Sequence, residues 1–186
     1  MALGGAQQYY GVTPDLTVMA KGFGGGFPVA AVGGKKEIMQ LVADGTVSMA
    51  GTYSGNGIAV SAANATLDFL MTPSIYQGLF DKSERLMRGI SERLESAGFH
   101  IKVVGIGPLF QVWFAESPIR NYRDAVNYAR KDLFRMWWEE MMERGVLFHP
   151  DAFENLFVSF AHNETDVEST LKAVDVAVPA LRRRMR

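Results

Sequence analysis

The stretch that most constrains the fold is "MAKGFGGGFPVAAVGG", residues 19–34, where a single lysine, Lys21, separates an apolar run from a cluster of glycines. The run before it, "LTVMA", is β-branched and apolar, which predicts a buried strand that ends at Lys21. "VAAVGG" predicts a second short strand. Glycine is enriched above its usual share of about 7%, mainly in the first sixty residues, so we expect this part to be rich in loops.

The glycines of this stretch do not form a known nucleotide loop. A dinucleotide fingerprint needs G-x-G-x-x-G, but Phe27 stands where the third glycine belongs. A Walker loop needs a glycine five residues before the second glycine of its G-K pair, and Val29 stands there. Both nucleotide interpretations are therefore excluded.

Two interpretations of Lys21 remain open from its surroundings alone. A lysine at the end of a buried strand is partly desolvated, which lowers the pKa of its ammonium and frees the amine for Schiff-base chemistry. Glycines beside it would let a flat cofactor approach the backbone. The alternative is a surface lysine in a glycine turn.

Composition excludes several other classes of function. Nineteen basic and 20 acidic residues give a net charge of −1, which argues against a nucleic-acid binder, and the C-terminal "RRRMR" is typical of a solvated helix end. The chain has no cysteine, and His100, His149 and His162 lie far apart, so we expect no metal site. No signal peptide or long apolar run is present, which predicts a cytoplasmic protein without a membrane segment.

The character of the sequence changes near "MTPS", and we place a domain boundary there, between residues 1–72 and 73–186. Before it, "KKEIMQLVADG" and "IAVSAANATLDFL" predict helices, whereas "ALGGAQQYYGVTPD" predicts a loop. Two short strands are too few for a sheet buried on both faces.

The second part predicts a small α+β layer. Apolar residues recur at helical spacing from residue 75 to 97 and again in the last helix, and residues 124–144 predict one further helix. "FHIKVVGIGPLFQVWFA" predicts two strands that meet near Gly105, and "VLFHP" and "LFVSFAH" predict two more. "TDVE" (Thr165 to Glu168) predicts a capping box at the start of the last helix.

Two motifs together resemble a known family. "GVTPDLTVMAKGFGGGFPVAAVGGKKEIM", followed by "AGTYSGNGIAVSAANATLDFL", resembles the class III aminotransferases, fold-type I enzymes that use pyridoxal 5′-phosphate (PLP). The closest resemblance is to glutamate-1-semialdehyde 2,1-aminomutase-like enzymes, and it runs over essentially the whole chain. It implies an α/β plus α+β fold, in which residues 1–72 are the C-terminal part of the PLP-binding large domain. Residues 73–186 would then be a small C-terminal α+β domain with an antiparallel sheet.

The resemblance also implies roles for individual residues. Lys21 would be the catalytic Schiff-base lysine and the general base that moves the substrate proton. Gly51 and Thr52, in "GTYSGN", would bind the cofactor phosphate, characteristically in the other subunit's active site of a homodimer. A helix N-cap is the second interpretation of Thr52, and the two are compatible because a phosphate uses the same free amides. Glu154, in "FENLFVSFAH", would lie near the substrate entrance; the alternative is a solvated loop carboxylate.

One part of the family pattern lies outside this sequence. In the family, a D-E-V strand upstream carries the aspartate that pairs with the pyridine nitrogen, and the ring-stacking aromatic residue lies farther upstream. We therefore expect the chain to be the C-terminal portion of such an enzyme and to have little activity by itself. The predicted function is a PLP-dependent aminotransferase or aminomutase acting on a small amino-carboxylate substrate. An ω-amino-acid:pyruvate transaminase and an inactive truncated or assembly fragment are the alternatives.

Overall fold

A computed structural model describes residues 1–185, apart from the side chain of Pro73. The chain divides into an N-terminal unit, Ala2–Ser74, and a C-terminal unit that begins at Ile75. The elements of the N-terminal unit, up to the start of α4, are α1 (Gly5–Tyr10), β1 (Leu16–Met19), a 3-10 helix (Lys21–Gly24), β2 (Ala31–Gly34), α2 (Lys36–Ala43) and α3 (Gly57–Leu70). They are followed by α4 (Pro73–Ser96), β3 (Ile101–Ile106), β4 (Leu109–Phe114), α5 (Tyr122–Tyr128), α6 (Lys131–Met142), β5 (Leu156–Phe157) and α7 (Glu164–Arg184).

The sheet of the N-terminal unit has two antiparallel strands. In its register, Leu16 of β1 pairs with Gly34 of β2. Next to this pair, the Lys35 ammonium forms an ion pair with the Asp15 carboxylate at 2.5 Å. The prediction that the first strand is buried is wrong, since Val18 is 73% exposed. The reason is that a sheet of two strands cannot cover both of its own faces.

Helix α3 is the element of this unit with buried side chains. Ala59 and Ala63 are buried on one face, as expected for small residues that allow close backbone approach. The predicted helix is confirmed, and so is α2. The predicted loop at the N-terminus instead contains α1, a helix of six residues that ends at Gly11 with φ 65°.

The sheet of the C-terminal unit has the order β3-β4-β5, and all of its pairs are antiparallel. The predicted pair of strands around Gly105 is confirmed, with Ile106 paired to Leu109 across the turn. Gly107 takes φ 52° in that turn, and a Cβ there would stand 2.8 Å from the Phe80 ring. Both the backbone angle and the packing therefore require glycine.

Helices α4, α6 and α7 cover this sheet and form the main core. The predicted apolar faces of α4 and α7 are confirmed, with Leu94 and Val174 fully buried. The centre of the core is aromatic: Phe114 of β4 contacts Trp137 of α6, with ring centroids 6.0 Å apart. Because long amphipathic helices have an unambiguous 3.6-residue period, their buried faces were predictable from the sequence.

Three local predictions for this unit are wrong. The single helix over residues 124–144 is two helices, since the Arg130 amide donates to the Phe114 carbonyl at 2.8 Å and breaks the helix there. "VLFHP" is not a strand; its Phe148 carbonyl accepts a hydrogen bond from the Trp138 indole at 2.7 Å. The capping box begins at Asn163 rather than Thr165, because the Asn163 side chain accepts from the Asp166 amide and the Asp166 carboxylate accepts from the Asn163 amide.

Candidate functional site

Lys21 has an unusual backbone conformation. Its φ is 55°, and it is the only non-glycine residue with positive φ among residues 1–185. Ala20 before it is extended, so the chain turns abruptly from the end of β1 into the 3-10 helix. A non-glycine residue in the left-handed region costs roughly 1–3 kcal/mol and is held there by its surroundings.

The Lys21 side chain is exposed and available. Within the described part of the chain its ammonium forms no hydrogen bond or ion pair, whereas Lys35 is paired with Asp15. The expected partial desolvation of Lys21 is wrong for this structure, because β1 itself is exposed. Lys21 therefore combines an exposed amine with a strained backbone.

The glycines after Lys21 have two different roles. A Cβ on Gly24 would stand 2.6 Å from the Val29 side chain, and one on Gly25 would stand 2.5 Å from Thr66 Oγ1. These two glycines are therefore required by packing of the 3-10 helix inside the unit. Gly22 has no other atom within 4 Å of such a Cβ, so it is the glycine that leaves space beside Lys21.

Gly51 and Thr52 lie in the turn that leads into α3. The Ser54 amide donates to the Gly51 carbonyl at 2.9 Å, and the Asn56 amide donates to the Tyr53 carbonyl at 3.1 Å. The residue that caps α3 is Asn56, whose side chain accepts from the Ala59 amide at 3.1 Å. The alternative that Thr52 is the N-cap is therefore wrong.

Because Asn56 caps the helix, the Thr52 hydroxyl is left free. It is exposed and has no hydrogen-bond partner among the described residues. Thr52 lies five residues before the start of this 14-residue helix.

Lys21 and Thr52 approach α3 at different points along its length. The 3-10 helix that starts at Lys21 packs, through Gly25, against Thr66 in the second half of α3. At 1.5 Å per residue, Thr66 lies about 14 Å along the axis from the start of α3 at Gly57. Thr52 precedes that start by five residues, so the segments that carry Lys21 and Thr52 meet α3 at different points along its length.

Glu154 lies in the C-terminal unit, in the loop before β5. Its side chain is exposed and has no polar partner among the described residues, whereas its backbone is fixed. The Glu154 amide donates to the Asp151 carbonyl at 3.1 Å, and the Glu154 carbonyl accepts from Gln111 at 2.8 Å. The structure thus places Lys21, Gly51 and Thr52 in one unit and Glu154 in the other.

Gln111, which lies in β4 and binds the backbone of this loop, is a residue that the sequence did not single out. It is 2% exposed, in the middle of β4. The available signal was a glutamine inside the apolar strand "LFQVWF", since buried polar side chains need hydrogen-bond partners.

Two further features of the described residues bear on function. No helix in residues 1–185 is long and apolar enough to cross a membrane. Within residues 1–185, no three histidine, aspartate or glutamate side chains are grouped so that they could hold a metal ion.

Comparison with known proteins connects these features to a family. A family model described as "Aminotransferase class-III" matches residues 4–172. A glutamate-1-semialdehyde 2,1-aminomutase of Brevibacillus brevis is 42% identical over 174 residues, which are 93% of this chain and 40% of that protein. The chain thus spans about 40% of the length of the curated relatives it matches.

Solved structures show the same fold. An ω-transaminase from Sphaerobacter thermophilus matches with a TM-score of 0.82 and 29% identity, covering 96% of this chain and 41% of that one. A structure described as a transaminase with PLP bound matches with a TM-score of 0.83 and 22% identity, over 97% and 41% of the two chains. The predicted partial fold-type I architecture is confirmed. The chain belongs to the class III aminotransferases, as its two glycine-containing motifs predicted.

Proposed function

We propose that this chain is the C-terminal portion of a PLP-dependent aminotransferase or aminomutase and that Lys21 is its catalytic amine. The substrate would be a small amino-carboxylate. The observation that carries the proposal is the left-handed backbone of Lys21, φ 55°, on a residue whose amine has no partner among the described residues. Backbone strain of this kind clusters at functional sites.

The residues present fit two groups of PLP, the carbonyl that reacts and the phosphate that anchors it. The free Lys21 amine fits its carbonyl group, and the open space at Gly22 leaves room for the ring. The free hydroxyl of Thr52, with the backbone of Gly51, fits the phosphate at the approach to α3. PLP, when bound, supplies a carbonyl that condenses with amines and a ring that takes up the electrons released at the substrate Cα.

The chain's own residues would then bind and move a proton. Lys21 Nζ would act as the general base that takes the proton from the substrate Cα and returns it. Its position at the end of β1 is fixed by the hydrogen bond from the Phe23 amide to the Ala20 carbonyl at 3.2 Å. Thr52 would hold the phosphate end of the PLP in the site that it serves and so fix the ring relative to the lysine of that site.

We propose that Thr52 serves the site of a second subunit in a homodimer. The segments that carry Lys21 and Thr52 meet α3 at different points, which supports the use of the two residues in two different sites. The exposed apolar residues of the N-terminal unit, among them Val18 and Tyr53, support a covered surface in the assembled enzyme.

We assign residues 1–72 to the PLP-binding large domain and 73–186 to the small domain, with Glu154 near the substrate entrance. Both assignments follow the family pattern, and a cytoplasmic location stays a prediction. The exposed two-stranded sheet supports the expectation that this chain alone has little activity.

Activity assays distinguish the candidate reactions. In the full-length protein, formation of 5-aminolevulinate from glutamate-1-semialdehyde would indicate the aminomutase. Amino transfer from an ω-amino acid to pyruvate would indicate the transaminase, which the similarity to the Sphaerobacter enzyme favours as the second candidate. Lys21→Ala should abolish either reaction, and Lys36→Ala is the matched control. Unchanged turnover in Lys21→Ala would contradict the proposal, and robust turnover by the 186-residue chain alone would contradict the fragment interpretation.

A further inference from the structure

We propose that Gln111 is a positioning residue that holds the loop carrying Glu154 against the sheet of the C-terminal unit. Its effect on catalysis rests on the proposed role of Glu154 at the substrate entrance. Its effect on the loop stands on hydrogen bonds and burial alone.

Every polar group of the Gln111 side chain is used. Nε2 donates to the Ala152 carbonyl at 2.5 Å and to the Glu154 carbonyl at 2.8 Å. Oε1 accepts from the Val112 amide at 2.9 Å. Two of these three bonds reach residues more than forty positions later in the chain, so one buried side chain connects β4 to the loop.

Gln111 stands where strand pairing ends. Strand β5 pairs with β4 only at Leu109 and Phe110, and Gln111 is the next residue of β4. Beyond this point the loop has no ladder bonds to β4, and the two Gln111 bonds connect its backbone to the sheet instead. Buried carbonyls need such partners, which gives the glutamine a specific reason to be there.

The residues beside Glu154 are anchored, whereas its carboxylate is not. Ala152 is 4% exposed, and Phe153 packs edge-on against Trp113 with ring centroids 5.7 Å apart. The Phe153 amide donates to Asp151 Oδ1 at 3.0 Å. The loop therefore presents a free carboxylate from a fixed backbone, an arrangement suited to contacting a ligand.

Hydrogen exchange on this chain tests the positioning. Gln111→Met keeps the side-chain length and removes all three bonds, whereas Gln111→Glu keeps the acceptor and removes the two donors. Each should increase the exchange rate of the Phe153 and Glu154 amides about a hundredfold, because each of the two lost bonds to the loop contributes on the order of a factor of ten. Exchange in β3 should change less than twofold. Gln77→Met, which removes an exposed glutamine of α4, is the control and should leave the loop unchanged.

Two outcomes of this experiment would overturn the proposal. One is loop exchange that is the same in both Gln111 variants as in the parent chain. The other is global unfolding of both variants, since Gln111 would then be needed for folding rather than for position.

Kinetics of the full-length protein test the consequence for Glu154. Gln111→Met and Glu154→Gln should raise KM by a similar factor with little change in kcat, and combining them should add nothing further. If the double variant raises KM by the product of the two separate factors, Gln111 acts independently of Glu154, which would overturn its positioning role. If Glu154→Gln leaves KM unchanged, the proposed role of Glu154 fails, while the exchange result still decides whether Gln111 holds the loop.

Discussion

Gly25 packs so closely against Thr66 that a Cβ added to the glycine would stand 2.5 Å from Thr66 Oγ1. Thr66 Oγ1 is itself held in place, since it donates to the Ala62 carbonyl at 2.8 Å. The contact fixes the 3-10 helix that begins at Lys21 to α3.

Gly25→Ala should therefore destabilise the N-terminal unit. The substitution adds this clash to a left-handed φ of 57°, and the expected loss is about 1–3 kcal/mol. Urea unfolding monitored by circular dichroism measures it. Gly22→Ala is the control, because its Cβ meets no other atom within 4 Å and its φ is not in the left-handed region. Equal losses in the two variants would contradict the account of this contact.

Substitutions at Lys21 should separate backbone strain from chemistry. Lys21→Gly relieves the left-handed conformation and should stabilise the unit by about 0.5–1 kcal/mol relative to Lys21→Ala, which keeps the strain. Both variants lose the amine and should lose activity alike. A Lys21→Gly variant that is less stable than Lys21→Ala would show that the backbone is not strained.

Substitutions at the start of α7 should show that its N-cap is Asn163 and not Thr165. Asn163→Ala removes the acceptor for the Thr165 and Asp166 amides and should cost about 1 kcal/mol of unfolding free energy. Thr165→Ala should cost much less, because its hydroxyl is not the cap. Thermal unfolding of the two variants measures the difference, and a larger loss in Thr165→Ala would favour the cap predicted from the sequence.

The pH dependence of stability should involve Glu139. Hydrogen bonds from Arg184, and secondly from Arg135, lower the pKa of Glu139 below its ordinary value of 4.5. A carboxyl whose folded-state pKa is depressed contributes stability above its unfolded pKa and loses it as the pH falls through its folded pKa. The stability of the parent chain should therefore fall more steeply below pH 4.5 than that of Arg184→Gln.

Urea titrations between pH 3 and 6 would show this difference in slope. Arg182→Gln is the control for Arg184→Gln, since Arg182 lies on the same helix and has no ion pair among the described residues. Parallel pH profiles for the parent and Arg184→Gln would contradict the contribution of Glu139.

The parts of the fold that the sequence predicted are those set by local pattern. The faces of α4 and α7 and the β3–β4 turn follow from periodicity and from glycine. The break at Arg130 could not be predicted, because it depends on a hydrogen bond to Phe114, sixteen residues earlier in the chain. Long-range contacts of this kind override local propensity.

The candidate site also has features that the sequence predicted and features that it did not. The identities of Lys21, Gly51, Thr52 and Glu154 came from motif resemblance, and their roles remain predictions. The left-handed backbone of Lys21 could not be read from the sequence, since lysine rarely adopts it. Gln111 was missed because its partners, Ala152 and Glu154, are distant in the chain.

Reductive labelling tests the central claim, that Lys21 is the amine to which PLP attaches, most directly. Condensation of the Lys21 amine with the PLP carbonyl expels water, and borohydride then delivers hydride to the imine and fixes the label. With PLP below the protein concentration, peptide mass spectrometry should find the label on Lys21, in the parent chain and in Lys36→Ala but not in Lys21→Ala. A label spread evenly over the surface lysines, or retained in Lys21→Ala, would contradict the account.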